Sequence, residues 1–217
     1  MKQYLMDATS PGYTPERLKT RIRNDRSRDM AYRRAIVATS LVGMASMAFV
    51  TLFQTGTVRR LPDPPTRRPN FDTAKVNTSD EAYSYGMPDG PLTLAMHAAN
   101  LSLAAAGPPE RWRERPWIPV AASAFSGAQA AVAAQYLFYR MPFVDKAWCP
   151  YCVVDALAHF ASFGLSLPET AKALGVTHPQ DSPPPRPRAA PVRHPAPVRT
   201  DAPVRGGSVP APGRRYR

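Results

Sequence analysis

Cysteine is scarce in this chain of 217 residues, with only Cys149 and Cys152 present. A structural zinc site takes four ligands, usually two such pairs, so one pair excludes it. A βαβ pattern around the pair is also lacking, which excludes a thioredoxin-like motif. Acidic residues are few: 16 Asp and Glu stand against 28 Lys and Arg, for a net charge of +12. No aromatic residue interleaves with the C-terminal arginines before Tyr216, which disfavours nucleic acid as a partner. A cleavable leader is not expected, because the first apolar run begins far from Met1 and has no small-x-small cleavage site; it reads as a signal anchor.

Charge is absent altogether from 35–58, between Arg33-Arg34 and Arg59-Arg60. At about 1.5 Å per residue this run spans a hydrocarbon core of about 30 Å. Further apolar runs predict spans at 88–107, 117–139 and 148–168, the last interrupted by Asp155 and His159. Four spans place both termini on one side. The basic N-terminal flank, the turn with Arg111, Arg113 and Arg115, and the Arg-rich tail predict that side to be cytoplasmic. Arg59, Arg60, Arg67, Arg68 and Lys75 run against this orientation, since they fall in the outer loop. The short turn 140–147 is also expected outside, with Cys149 at the outer end of span 4, where disulfide chemistry is permitted in a bacterium.

Local signals fill in the pattern. Thr14-Pro15-Glu16 is a helix start, giving a short basic helix at an anionic lipid leaflet. Ala35, Thr39 and Gly43 in span 1, and Gly127/Ala131 with Ala124/Ala128 in span 3, are small residues in a register that lets helices pack closely. Thr78-Ser79-Asp80-Glu81 matches a capping box, with Thr78 as N-cap, and predicts a short helix over 79–85 ending at Gly86. From Gly175 the chain is rich in Pro and Arg and repeats Ala-Pro-Val-Arg at 190–193, 196–199 and 202–205. Such a tail is expected to be disordered, with polyproline II character. Its charge suits anionic lipid, an acidic protein surface or a larger membrane complex.

The chemistry centres on Trp148-Cys149-Pro150-Tyr151-Cys152. Cys-x-x-Cys can close and reopen a disulfide across one helical turn. Both cysteines are expected in the first turn of span 4, where the helix N-terminus and the adjacent Lys146 favour a thiolate. At the mouth of a membrane span, the pair faces oxidising solvent on one side and lipid-soluble quinone on the other. Asp155 and His159 lie at i+3 and i+7 from Cys152, so the three share a helix face. Ionisable groups inside a span mark function, here proton transfer or a hydrogen bond across the bundle. His97 and Asn100 form a similar pair in span 2 and read as inter-helix hydrogen bonds.

These residues resemble the vitamin K epoxide reductase family in its bacterial form. The cysteine motif opening the last helix carries the likeness, with the ordered pattern Ser79, Ala82, Tyr85-Gly86-Met87-Pro88 before span 2. The resemblance covers about 34–174 and implies a membrane thiol–disulfide oxidoreductase coupled to a quinone, ubiquinone or menaquinone. It implies Cys152 as the quinone-facing sulfur and Cys149 as its resolving partner. It places Ser79 near the quinone and Asp89 near a position that bonds the quinone oxygen. Typical members also carry a relay cysteine pair in the outer loop; this chain has none, and Thr73 stands near the expected position. A periplasmic thioredoxin-like thiol protein would then reach Cys149 directly.

The expected fold is all-α: an integral membrane four-helix bundle with disordered polar termini, in the bacterial inner membrane. The expected divisions are a basic segment 1–34, the membrane domain 35–174 and the tail 175–217. The alternative is a non-catalytic membrane subunit or scaffold that retains the bundle.

Overall fold

The computed structural model describes residues 14–66 and 69–177. Arg67, Arg68, Ser182 and the Ala-Pro-Val-Arg repeats lie outside the described residues. Within them the chain is helical: α1 (Pro15–Asn24), α2 (Arg28–Gln54), α3 (Thr73–Asn77), a 3₁₀ turn (Asp80–Tyr83), α4 (Asp89–Ala105), α5 (Arg111–Glu114), α6 (Trp117–Gln135), a π-helical continuation (Tyr136–Asp145) and α7 (Pro150–Ala173). No strand forms among the described residues, only an isolated parallel bridge between Phe71 and Trp148.

Three helices are long and apolar enough to cross a membrane: Arg28–Gln54, Trp117–Asp145 and Pro150–Ala173. Leu41, Val42, Phe49, Val132, Phe138, Phe143 and Leu157 are exposed, an apolar surface that suits lipid better than water. α4 has 17 residues, the lower limit for a span. It packs against α2, and α7 packs against both α2 and α6. Close approach is built in: a Cβ on Gly43 would stand 2.2 Å from the ring of His97, so only glycine admits α4 there.

Several boundaries differ from the sequence expectation, each for a local reason. The first long helix starts at Arg28 because the Ser27 side chain accepts the Met30 N–H at 3.3 Å, and it ends before Gly56 at φ 76°. Thr78 is not the N-cap of the next turn. Its hydroxyl donates back to the Ala74 carbonyl at 2.8 Å, closing α3, and Ser79 takes the N-cap position of a four-residue 3₁₀ turn. Residues 140–147 are mostly helix rather than loop. The winding widens to a π-helix through Pro142 and stops at Lys146, left-handed at φ 52°. The last helix passes Pro168 and runs to Ala173.

One end is fastened by buried charge. Arg33 donates to the carbonyls of Ala104 (2.7 Å), Ala106 (2.9 Å), Gly107 (3.1 Å) and Pro108 (3.0 Å). Arg111 donates to the carbonyls of Leu103 and Ala106 and makes a two-pronged pair with Glu169 at 2.8 and 2.7 Å. Helix C-termini leave carbonyls without partners, and these two arginines satisfy those of α4. Lys172 pairs with Asp29 at 2.8 Å. Residues 29–33, 104–111 and 169–172 therefore meet at one end, while Gln54, Asn77, Asp89 and Cys149 meet at the other.

Candidate active site

Pro150 opens α7, and Cys149 is its N-cap, one residue before the first turn. The cap is a sulfur: Cys149 Sγ accepts the Cys152 N–H at 3.2 Å. Asn77, at the end of α3, bridges the pair. Its Nδ2 donates to Cys149 Sγ at 3.3 Å, and its Oδ1 accepts from Cys152 Sγ at 3.6 Å. Both thiols are free and buried, packed with Val76, Ala133, Leu137, Met141 and Ala156. Cys149 precedes the spanning helix. Burial pushes its thiol up, but hydrogen bonds from Cys152 and Asn77 outweigh burial and hold it below the ordinary range. The arrangement is asymmetric: Cys149 collects donors, as a thiolate needs, while Cys152 donates.

The loop before α3 covers Cys149. The Asp72 N–H donates to the Trp148 carbonyl at 2.9 Å and the Trp148 N–H to the Asn70 carbonyl at 2.8 Å. Thr73 is buried. Its hydroxyl and N–H both donate to the Asp63 carboxylate.

Behind the pair lies a cavity of about 420 Å³. Cys152, Asp89, Asp155 and His159 line it with Leu92, Met96, Phe125, Val132, Tyr136 and Arg140; Cys149 does not. Four of the six predicted site residues thus line one cavity, and a fifth, Cys149, lies beside it next to Cys152. Ser79 is the exception. Its hydroxyl donates to the Val76 carbonyl at 2.9 Å, and it does not line the cavity. Asp89 accepts from Gln54 Nε2 at 2.7 Å, and the same amide's Oε1 accepts the Gly90 N–H at 3.0 Å. The π-helical turn carries Tyr136, Arg140 and Met141 to the wall. Arg140 is paired with Glu81 at 3.1 Å.

The model of the vitamin K epoxide reductase family matches residues 34–167. The chain belongs to this family. Comparisons with curated proteins and with solved structures gave no match. For a vitamin K epoxide reductase family member the matched stretch runs from the start of the first long helix to near the end of α7, and takes in both cysteines and the cavity. Membership together with the apolar helices makes this a multi-pass membrane protein and suggests thiol–disulfide redox chemistry.

Asn77, Asp63, Gln54 and Tyr136 were not legible as site residues. Asn77 had one faint signal: it lies four residues after Thr73, on the same helix face, and its Nδ2 also donates to the Thr73 carbonyl at 2.9 Å. His97 and Asn100 do bond between helices, to Asp155 at 2.7 Å and to Gln129 at 2.8 Å.

Proposed function

We propose that the chain is a four-span protein of the bacterial inner membrane, both termini cytoplasmic, that passes electrons from a periplasmic thioredoxin-like dithiol to a membrane quinone, ubiquinone or menaquinone. In this reading α4 also crosses the membrane, as span 2, beside the three longer helices. The observation that carries it is the division of the cysteine pair: Cys152 is in the wall of the 420 Å³ cavity, while Cys149 is not and is buried against Val76 and Asn77 of α3. The cavity suits a quinone ring. It is mostly apolar, of ligand-site volume, with hydrogen-bonding groups on Asp89, Tyr136 and His159. A bound quinone supplies an acceptor for two electrons and two protons.

The chain's own work has two halves. A partner thiolate attacks Cys149 of the Cys149–Cys152 disulfide, and Cys152 leaves as thiolate. The partner's second thiol then breaks the mixed disulfide, so the partner is oxidised and the chain is left with two thiols. Cys152 then delivers both electrons into the cavity as the Cys149–Cys152 bond closes again. Cys149 is fully buried, so the partner reaches it only when the Asp72–Trp148 and Thr73–Asp63 contacts open.

Trapping tests this reading. With Cys152→Ser, Cys149 has no internal partner and should hold a mixed disulfide with a periplasmic protein, identified by non-reducing electrophoresis and mass spectrometry. If Cys149→Ser traps and Cys152→Ser does not, the roles are reversed. For topology, Thr78→Cys should be labelled from outside intact cells; labelling of Ser182→Cys from outside refutes the orientation.

One observation favours the second reading, a scaffold that binds a larger assembly through its basic ends. No cysteine stands near the expected relay position, and Thr73 there is held by Asp63. If neither cysteine variant traps a partner, that reading gains.

A further inference from the structure

Three ionisable side chains from two helices converge on one point beside the cavity. His97 Nε2 lies 2.7 Å from Asp155 Oδ1. His159 Nε2 lies 3.7 Å from the same oxygen. The imidazoles stack with centroids 4.1 Å apart and planes 7° apart. His97 and His159 are buried, and the Nδ1 of each has no partner within the described protein. Gly43 on α2 leaves the room for the His97 ring.

This is also a donor set for a metal ion, with one ligand atom from each residue lying within 4.8 Å of the others. The stacking argues against that use. A ring nitrogen presents its lone pair in the plane of the ring, and two nearly parallel planes do not converge on one ion. The set is instead arranged to share protons. A neutral imidazole has one N–H and one acceptor nitrogen. The short contact to the carboxylate takes the N–H of His97 and leaves its Nδ1 as an acceptor. With both imidazoles neutral the cluster carries the single negative charge of Asp155. One added proton makes it neutral. A second would put a net positive charge between stacked rings in an apolar interior, which is strongly disfavoured. The contacts therefore place the three groups to share one proton.

We propose that His97, Asp155 and His159 form a proton-transfer cluster for the cavity, holding one exchangeable proton, with His159 as its outlet. This rests on the reading of the cavity as a quinone site. His159 and Asp155 line the cavity and His97 does not, so His159 is the catalytic acid and His97 a positioning residue that orients the carboxylate. Cys152, Asp155 and His159 share a helix face, so the route runs along α7. Oxidising the dithiol releases two electrons and two protons. The cluster gives one proton from His159 to a quinone oxygen and is refilled by one released as the Cys149–Cys152 bond closes. The dithiol's other proton is released to solvent, and the quinone's other oxygen takes its proton from solvent, so two protons leave the dithiol and two arrive on the quinone.

The neighbours that could titrate in its place are Cys152 on α7, Asp89 on α4, Glu81 on the 3₁₀ turn, and Tyr136 and Arg140 on the extension of α6. From α2 the groups at this level are Gly43 and Met47, which do not titrate.

The test uses the full chain in detergent or proteoliposomes, with Asp155→Asn, His159→Gln and His97→Gln. Three quantities are read: oxidation of the reduced dithiol by ubiquinone-1 or menadione, oxidation of the same dithiol by diamide, and an infrared pH titration without quinone. Asp155→Asn and His159→Gln should slow quinone-dependent oxidation by about 10²–10⁴-fold, the usual worth of a general acid, and leave the diamide rate unchanged. His97→Gln, which keeps a donor, should retain more of the rate. The infrared titration should show carboxylate and imidazole bands moving together in the wild type and in Cys152→Ser, and no carboxylate change in Asp155→Asn. Retained quinone rates in Asp155→Asn and His159→Gln overturn the cluster, as does equal loss with diamide or a stoichiometric bound metal in the purified wild type. If the wild type itself reacts with diamide and with no quinone, the quinone reading fails, and the cluster's role falls with it. That result is distinct, because wild type and variants then behave alike.

Discussion

The two ends of the helix assembly follow opposite plans. Where α2 begins and α7 ends, most buried charges are paired, though Glu110 Oε2 is not: Arg33 reaches four carbonyls, Arg111 reaches two carbonyls and both oxygens of Glu169, and Lys172 meets Asp29. The void among these side chains is about 10 Å³, room for one water at most. At the cysteine end the void is about 420 Å³. There, buried polar atoms such as His97 Nδ1, His159 Nδ1 and Arg140 Nε have no partner within the described protein. Buried groups without partners are destabilising by about 1–3 kcal/mol each. A fold that closes one end so fully and leaves the other open keeps its rigidity at one end and its ligand chemistry at the other.

The largest effects should break the two ends separately. Cys149→Ser or Cys152→Ser should abolish thiol-dependent quinone reduction, because each sulfur is needed to close the bond, and the protein should still insert. Turnover in either variant ends the assignment. At the closed end, Arg111→Met leaves Glu169 buried without its partner and should destabilise by about 3–5 kcal/mol. Arg111→Met with Glu169→Leu should recover much of that loss. Unfolding followed in detergent measures both. A destabilised single variant with normal activity per folded molecule supports the division; equal loss of activity and stability breaks it.

Next is Asn77→Ala. Asn77 donates to Cys149 Sγ, and donors are what hold that thiol below its ordinary range against burial. Removing one raises the pKa, so the thiolate fraction at a given pH falls. On the Cys152→Ser background, the rate of Cys149 alkylation against pH should move to higher pH. At neutral pH it should drop about tenfold, the equivalent of about 1.4 kcal/mol. An unmoved curve would leave Asn77 as packing only.

Much of this plan was legible in the sequence, and what was not has identifiable causes. Apolar run length located the long helices, and the rarity of cysteine pointed to the site. Asp155 and His159 stood out because ionisable groups in an apolar run are uncommon. The last helix continues past 168 to Ala173, through Glu169 and Lys172. Their charges are matched by Arg111 and Asp29, which lie 58 and 143 residues away in the chain. Arg33 and Arg111 were counted as topology charges, yet both are buried as helix-end clasps. Thr78 closes α3 instead of capping the next turn, because a hydroxyl can bond forward to an N–H or back to a carbonyl four residues earlier, and the sequence is the same for both. Asn77 and Asp63 act only through contacts that the loop makes when folded over α7.

The smallest expected effect lies where the first long helix meets the cavity. Gln54 holds Asp89 with its Nε2 and the Gly90 N–H with its Oε1, so a single amide orients a cavity carboxylate and the start of α4. Gln54→Ala removes both bonds, and the longer one from Nε2 to the Asn77 carbonyl at 3.4 Å, each worth about 0.5–1.5 kcal/mol. Water can replace part of that loss at this half-buried position, so the apparent quinone affinity should weaken only by a few-fold. The dithiol equilibrium with glutathione should not move, since Gln54 touches neither sulfur. Gln54→Glu should do more, because it sets a second carboxylate against Asp89 in place of a donor. If Gln54→Glu matches the wild type in quinone affinity, Asp89 does not contact the bound ring, and the binding end of the cavity must lie closer to His159.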